Sequence, residues 1–373
     1  MIAKPKRISG SFGLRFSAGM GLVEILVALT LSVTVVAGLI HVFINAKQYS
    51  KTQDALIRME ESGRHAMQVL TSDIRAARYL GQTQQYWSVT EASSPNAPAA
   101  SISNECFTTA GAAFRWIDPF AKSVDVDGNA ATPTILAPTV FGVNDGNGVF
   151  SGCIFAGDMV ANTDVVSLHY ASATMVPSAS LLSGAYYIRS DLTHAVVFRC
   201  GTSGSCAPAG AWDAETDGIA VLNANVYWIR SCTDPGGDSR CSTSDDGDQP
   251  NVPALVKTYL SAAGTIVTDV IADSVVNMQV QYGVDVDNSG LAERYENAND
   301  IGVITSTSTW ATWNRAKTLR VWLLVRSPAT DTNYQSATSY SMGDHNGAQA
   351  ITVTAGYRYQ LFTSTVALRN FNG

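Results

Sequence analysis

The first patterned stretch of the chain is a run of apolar residues near the N-terminus, from Ile25 to Ile44. About 20 residues in a helix, at roughly 1.5 Å per residue, match the thickness of a bilayer core. The run therefore predicts a helix that can span a membrane. It contains four polar interruptions: Thr30, Ser32, Thr34 and His41.

A helical pattern continues beyond the apolar run. Apolar or small residues recur at steps of three and four, which places them on one stripe of an amphipathic helix. Gly81 stands where a left-handed C-cap is expected. We predict one continuous helix whose second half packs against a core. The stripe consists of Leu56, Met59, Gly63, Met67, Leu70, Ile74 and Ala77.

The pattern changes after residue 82. A polar stretch rich in Pro, Ala and Ser reads as a loop or linker, and short β-branched and aromatic runs follow it, several with alternating apolar and polar residues. The predicted fold class is α+β, a long N-terminal helix packed on an antiparallel β-sheet-rich C-terminal head. The predicted strands are DVVSLHY, AYYIRS, AVVFRC, IAVLNANVYWIRS, SVVNMQVQYGVDVD, KTLRVWLLVRS and YRYQLFTSTVALRN.

Composition excludes one class of partner. The formal net charge is −7, and 15% of the residues are charged. Basic residues are not clustered outside the N-terminus, whereas a nucleic-acid-binding protein normally has a concentrated basic face. We expect no nucleic-acid partner.

Six cysteines follow the apolar run. None lies in a C-x-x-C pattern, and no histidines have zinc-ligand spacing, so a zinc site is disfavoured. Two pairs flank Gly- and Ser-rich loops and are expected to form local disulfides, which leaves a third pair. Six cysteines allow 15 pairings, so other pairings stay open, as do free thiols in a reducing compartment. The expected pairs are Cys200–Cys206, Cys232–Cys241 and Cys106–Cys153.

The N-terminus fits three interpretations. Residues 1–19 contain four basic residues and no acid, which places the N-terminus in the cytoplasm and the head on the other side of the membrane. The segment can be a secretory signal peptide cleaved at Val35-Val36-Ala37, or an uncleaved signal anchor. Neither explains Glu24, because a carboxylate beside hydrocarbon costs on the order of 1–3 kcal/mol.

The third interpretation rests on the segment Gly19-Met20-Gly21-Leu22-Val23-Glu24. It resembles the class III signal of type IV prepilins and pseudopilins, in which a basic leader ends in Gly and the fifth mature residue is Glu. The resemblance implies cleavage by a prepilin peptidase between Gly19 and Met20, and N-methylation of Met20. It also implies that Glu24 sets the register of assembly.

Cleavage would give Glu24 a partner. The new α-amine at Met20 stands four residues before Glu24, on the same side of a helix. In a packed fibre the carboxylate could instead meet the amine of a neighbouring subunit, which would offset the burial of both charges. Pairing within the chain and pairing between chains both stay open.

Three segments near the C-terminus resemble the PilW-type minor pilins of type IV pili: VQYGVDVDNSGLAERY, AKTLRVWLLVRS and YRYQLFTSTVALRN. The resemblance implies a minor pilin that primes pilus assembly, near the fibre tip, with other minor pilins and the major pilin as partners. It implies residence in the bacterial inner membrane, with a periplasmic head, before incorporation into the pilus.

The resemblance also implies a pilin-like fold with five parts along the chain. These are a cleaved cytoplasmic leader (1–19), a transmembrane or fibre-core helix (20–45), its amphipathic continuation (46–81), a variable cysteine-containing β-rich region (82–255) and a PilW-type β-rich region (256–373).

One segment carries the chemistry of a metal site. Residues 285–296 fit the calcium-loop template D-x-D-x-[DNS]-G-x5-E, in which oxygen ligands recur at alternate positions around a sharp glycine turn. A solvated acidic turn is the alternative, since Asp, Asn, Ser and Gly favour turns for their own reasons. The protein requires no cofactor on this interpretation, and Ca²⁺ is its candidate ion. The candidate ligands are Asp285, Asp287, Ser289, Leu291 through its carbonyl, Glu293 and Glu296.

Motifs of catalysis are missing from the sequence: it has no G-x-S-x-G elbow, no H-E-x-x-H and no phosphate-binding Gly-rich loop with Lys. We therefore expect no enzymatic activity. Two other functions remain as alternatives. One is a minor pseudopilin of a type II secretion system, and the other is a membrane-anchored, calcium-dependent adhesin or hydrolase.

Overall fold

The computed structural model describes residues 21–82, 106, 116, 123–124, 135–136, 138–191, 195–200, 218–241, 252–304, 307–331, 334, 339–345 and 350–370. The chain divides into two compact units, Met1–Asp54 and Ala55–Gly373. Helix α1, Leu22–Ala76, begins in the first unit and ends in the second.

Within the first unit, α1 is apolar and open on all sides. Every residue from Gly21 to Lys51 is exposed. Its length and composition suffice to cross a membrane, as the apolar run predicted. A helix that is apolar all round is typical of a membrane span or of a buried core helix.

Within the second unit, α1 is amphipathic. Its buried residues include Met59, Gly63, Leu70 and Ile74, and the remaining members of the predicted stripe also contact or belong to the core. The predicted stripe is therefore confirmed. Gly63 has a specific role, because a Cβ at that position would overlap the ring of Phe362.

The end of α1 differs from the prediction at Gly81. The helix ends at Ala76, and Arg78 adopts the left-handed conformation with φ 69°. The Arg78 N–H donates to the carbonyl of His169 at 3.1 Å, and its guanidinium donates to the carbonyl of Trp313 at 2.9 Å. These tertiary contacts end the helix before Gly81, which is itself left-handed with φ 90°.

The strands of the head cover all seven of the predicted runs and add others. Two short helices, α2 (Ala298–Ile301) and α3 (Trp310–Asn314), lie between strands. The strands are β1 (Ser123–Val124), β2 (Ile135–Leu136), β3 (Val140–Val143), β4 (Val165–Met175), β5 (Tyr186–Ser190), β6 (Ala195–Arg199), β7 (Gly218–Arg230), β8 (Ala254–Leu260), β9 (Ile266–Asp273), β10 (Val275–Val284), β11 (Arg294–Glu296), β12 (Ala316–Arg326), β13 (Ser339–Tyr340), β14 (Ile351–Thr352) and β15 (Tyr359–Ala367).

Two main sheets form the head, and their pairings are antiparallel. The larger has seven strands in the order β3-β4-β7-β5-β6, with β8 paired to β7 and β9 paired to β8. The smaller has four strands in the order β11-β10-β12-β15. The α+β fold class is therefore confirmed.

One hydrophobic core joins the helix and both sheets. It includes Leu70 and Ile74 of α1, Val226 of β7 and Leu323 of β12. Trp310 and Trp313 are buried in this core. The ring of Trp313 meets that of Tyr282 edge to face, with 4.8 Å between centroids.

Polar contacts near its C-terminal end attach α1 to the head. The Asp73 carboxylate accepts hydrogen bonds from the hydroxyl of Tyr227 at 2.5 Å and from the amide of Asn225 at 2.8 Å. At the end of the helix, the Asn370 amide nitrogen lies 3.1 to 3.3 Å from the carbonyl oxygens of Arg75, Ala76 and Ala77. Asn370 thus supplies a donor to helix carbonyls that have no partner within the helix.

We predict that Asn370→Ala destabilises the full chain in detergent micelles by about 1 kcal/mol, the usual contribution of one hydrogen bond. Asn370→Asp should cost more, because a carboxylate cannot donate and opposes the negative end of the helix dipole. Thermal unfolding measures the stability of both variants. Parental stability in Asn370→Asp would contradict the capping role.

Candidate functional site

The first candidate site is the front of the apolar run. Glu24 lies in the first turn of α1 and is exposed. The N–H groups of Glu24 and Ile25 donate to the carbonyl of Gly21 at 2.9 and 3.2 Å. A carboxylate at this end of a helix is favoured by the helix dipole. Gly19 and Met20, the predicted cleavage and methylation positions, lie outside the described residues.

The polar residues of the run form hydrogen bonds within the helix. The hydroxyls of Thr30, Ser32 and Thr34 donate to carbonyls three residues earlier, at 2.8 to 2.9 Å. The His41 ring is bonded to the amide of Asn45 at 2.9 Å. In lipid, polar groups must find partners within the protein. These residues therefore suit an apolar environment on every side of the helix.

The second candidate site is the loop that follows β10. Its first ligand position, Asp285, is buried. The Asp285 carboxylate accepts the N–H groups of Ser289 at 3.0 Å and Gly290 at 2.9 Å, and Lys317 Nζ lies 3.4 Å from it. Gly290 has φ 89°, as the template's sharp turn requires.

The electrostatics of the loop keep Asp285 ionised. Burial raises the pKa of Asp285, but the N–H of Gly290 and the ammonium of Lys317 outweigh burial, so its pKa lies below the ordinary value. An ionised carboxylate is the form that binds cations.

Three carboxylates converge in this loop. One oxygen each from Asp285, Asp287 and Glu293 lies within 4.8 Å of the other two. The Ser289 hydroxyl donates to Glu293 Oε1 at 2.8 Å, and Glu293 Oε2 accepts the N–H of Val286 at 2.6 Å. A set made of oxygens alone is the type that Ca²⁺ and Mg²⁺ prefer.

Two other positions of the calcium-loop template are not among these convergent side chains. Leu291 is largely exposed, and its N–H donates to the Ser289 hydroxyl at 3.3 Å. Glu296 belongs to β11, where it pairs with Arg294 at 2.6 Å and stands opposite Tyr282 of β10. The structure thus brings together Asp285, Asp287, Ser289 and Glu293, and it engages Glu296 elsewhere.

Disulfides link parts of the head. Cys106 is bonded to Cys153 across a separation of 47 residues, and Cys232 to Cys241 across 9. These two predicted pairs are confirmed. Cys200 is also disulfide-bonded, while Cys206 lies outside the described residues. Each such bond typically stabilises a fold by about 2–4 kcal/mol, in the main by constraining the unfolded chain.

Sequence reasoning missed a second group of ligand-type side chains, Asp145, Asp344 and His345, which the fold also brings within 4.8 Å of one another. Two of them are neighbours in sequence, but the third is about 200 residues away, and no local spacing links them.

Comparison with known proteins addresses the C-terminal third of the chain. Residues 239–370 match the family model of PilW, the type IV pilus-assembly protein W. Over these residues the chain is PilW-like. The matched region contains β8 to β15 and the candidate loop at 285–293. It also contains the three segments on which the predicted resemblance rests, and that resemblance is confirmed. No curated protein and no solved structure shows a significant match.

Proposed function

We propose that the protein is a minor pilin of a type IV pilus, which primes fibre assembly together with other minor pilins near the tip. It is held in the inner membrane by α1, with its N-terminus in the cytoplasm and its head in the periplasm, before it enters the fibre. The role is structural and non-catalytic.

The observation that carries this proposal is the combination of an exposed apolar helix with a PilW-like head. The apolar side chains of α1 from Leu22 to Ile44 are exposed. Burying one such side chain is favourable by roughly 1.5–3 kcal/mol. The segment therefore requires lipid or the apolar helices of other subunits, and a pilin encounters both in turn.

Glu24 would set the axial register of the helix among the helices of other subunits. Its exposed carboxylate stands at the front of the apolar run, in the first turn of α1. Cleavage after Gly19 by a prepilin peptidase would leave a cationic amine at Met20, and that amine on a neighbouring subunit would partner Glu24. Leaving one charge of such a pair buried alone is costly, so only one axial register between helices would satisfy both charges.

Replacement of Glu24 separates this function from its alternatives. We expect Glu24→Gln to enter the membrane normally but to be lost from sheared pili and to reduce piliation. Glu61→Gln, the same change at an exposed position of the same helix, is the matched control and should behave as the parent. Normal piliation in Glu24→Gln would contradict the proposal. A membrane-anchored adhesin or hydrolase would be indifferent to the change, and a type II pseudopilin would lose secretion instead.

We further propose that the loop after β10 binds Ca²⁺ through Asp285, Asp287 and Glu293. Support comes from three convergent carboxylates and a low pKa at Asp285. Arg315, whose Nη1 lies 3.4 Å from the Val286 carbonyl, and Lys317 are the nearby cations. The Lys317 ammonium already neutralises part of the negative charge of Asp285 that Ca²⁺ would bind. Binding of Ca²⁺ should therefore displace this ammonium from Asp285.

Saturating Ca²⁺ should raise the melting temperature of the full chain in detergent by several degrees, because a ligand that binds the folded state stabilises it. Asp287→Asn should remove the gain without loss of stability in EDTA, since Asp287 is exposed. Asp234→Asn, in another exposed acidic turn, is the control. An unchanged melting temperature of the parent in Ca²⁺ would rule the site out.

A further inference from the structure

The last strand of the head, β15, forms an open edge of the smaller sheet. Among the described strands it pairs only with β12, antiparallel over its nine residues and without a register shift. The opposite edge of the same sheet, β11, has three residues. The edge formed by Tyr359–Ala367, here called the β15 edge, is therefore the long edge of this sheet.

Hydrogen bonds at both ends of this pairing show which backbone groups of β15 face away from β12. The N–H of Leu368 donates to the carbonyl of Lys317 at 2.9 Å, in continuation of the register. At the other end, the N–H of Ser327 donates to the carbonyl of Arg358 at 2.7 Å in the same way. In an antiparallel pair, residues bonded to the partner strand alternate with residues whose N–H and C=O point away from it. Counting from either end gives the same outward-facing residues: Tyr359, Leu361, Thr363, Thr365 and Ala367.

The outward-facing groups of β15 are open to another chain. Among the described residues, no backbone group outside β12 pairs with them. Thr363, Thr365 and Ala367 are exposed, so the head does not cover the second half of the edge. A row of N–H and C=O groups that recurs at every second residue is matched by one kind of ligand, a polypeptide in the extended conformation.

β15 lacks the protection that the other edges of the two main sheets carry. Natural edge strands are protected from pairing by short length, charged side chains, proline or a bulge. The edges β3, β6 and β11 have five residues or fewer. The edge β9 has a register irregularity and exposes Asp269 and Asp273. In contrast, β15 reads YQLFTSTVA, with no charge and no proline, and most of its residues favour strands.

The charge and the position of the β15 edge indicate which strand it fits. Because β15 is uncharged, an uncharged segment meets no repulsion along it, and an acidic residue at one end could pair with the exposed Arg369. Phe362 packs on α1, where its ring fills the space that a Cβ on Gly63 would take. In the proposed fibre, helices of neighbouring subunits pack side by side, so an edge that contacts α1 is continuous with that interface.

We propose that the β15 edge binds an extended segment of another pilin subunit, which adds a fifth strand to the four of the smaller sheet. The inference rests on the proposed function, because the partner is a subunit of the same fibre. Main-chain hydrogen bonds to the outward-facing residues would supply affinity, and the side chains beside Thr363 and Thr365 would supply specificity. The segment it fits is uncharged, rich in β-branched residues and bears an acidic residue near Arg369.

Proline at position 363 tests the edge in the full chain. The N–H of Thr363 points away from β12, so Thr363→Pro removes a bond to the added strand and none to β12. Phe362 is already extended, as a residue before proline must be. We expect the variant to enter the membrane and fold, but its recovery in sheared pili should fall by about tenfold or more, because proline removes one hydrogen bond and obstructs its neighbours. Thr363→Val, which keeps the N–H, is the matched control and should be recovered as the parent is.

Parental recovery of a folded Thr363→Pro chain in pili would overturn the docking edge. Melting temperatures in detergent establish folding, and Thr365→Pro, built on the same reasoning, is the second variant.

A photocrosslink gives a reading that does not depend on either proline variant. A photoreactive amino acid in place of Thr365, in cells that assemble pili, should crosslink to another pilin subunit, identified by mass spectrometry of the joined peptides. The same amino acid in place of Asp269, exposed on β9, is the control and should give little of this product. A crosslink to a second copy of this chain, or to no pilin, would contradict the proposal.

Failure of this inference is separable from failure of the proposed function. If Glu24→Gln is lost from pili while a folded Thr363→Pro chain enters them, the docking edge alone is wrong. If Glu24→Gln enters pili normally, the proposed function fails, and the docking edge fails with it.

Discussion

The constraint on which this protein depends is an apolar helical segment that is exposed among the described residues. From Leu22 to Ile44 the apolar side chains of α1 are exposed, and the hydroxyls of Thr30, Ser32 and Thr34 are satisfied inside the helix. Such a segment is stable both in lipid and among similar helices. Under the proposed function, its transfer from lipid to neighbouring helices would require little local rearrangement, because the hydrogen bonds of the helix are the same in both. Glu24 is the charged side chain at the front of this segment. Its carboxylate is costly to bury in lipid without a partner, whereas in a fibre the amine of a neighbouring subunit would pair with it.

The head is organised around the last third of the same helix. Asp73 binds side chains of β7, Gly63 admits the ring of Phe362 from β15, and Asn370 caps the C-terminus of the helix. These contacts come from both main sheets and from the end of the chain. The second half of the helix is therefore part of the core of the head, and the disulfides Cys106–Cys153 and Cys232–Cys241 link other parts of the head.

Local pattern was sufficient for much of this architecture. The step of three and four residues identified the buried stripe of α1, and alternation identified strands such as β7, β10 and β12, because periodicity reports which face meets a core. What depends on distant contacts was out of reach. Arg78 ends the helix early because Trp313 and His169 hold it, and β8 joins the larger sheet by pairing with β7. Glu296 faces Tyr282 because a strand, not a helix, follows the candidate loop. Asp145 and His345 are in contact although 200 residues separate them in sequence.

Under the proposed function, residues 19–24 form a processing signal joined to an assembly signal, so that cleavage supplies the cation that Glu24 requires. Mass spectrometry of the N-terminal peptide of the mature protein, isolated from membranes and from sheared pili, tests it most directly. We expect a chain that begins with N-methylated Met20 in both fractions. A chain that begins at Gly38, as after cleavage by a general signal peptidase, or one that retains residues 1–19, would contradict it.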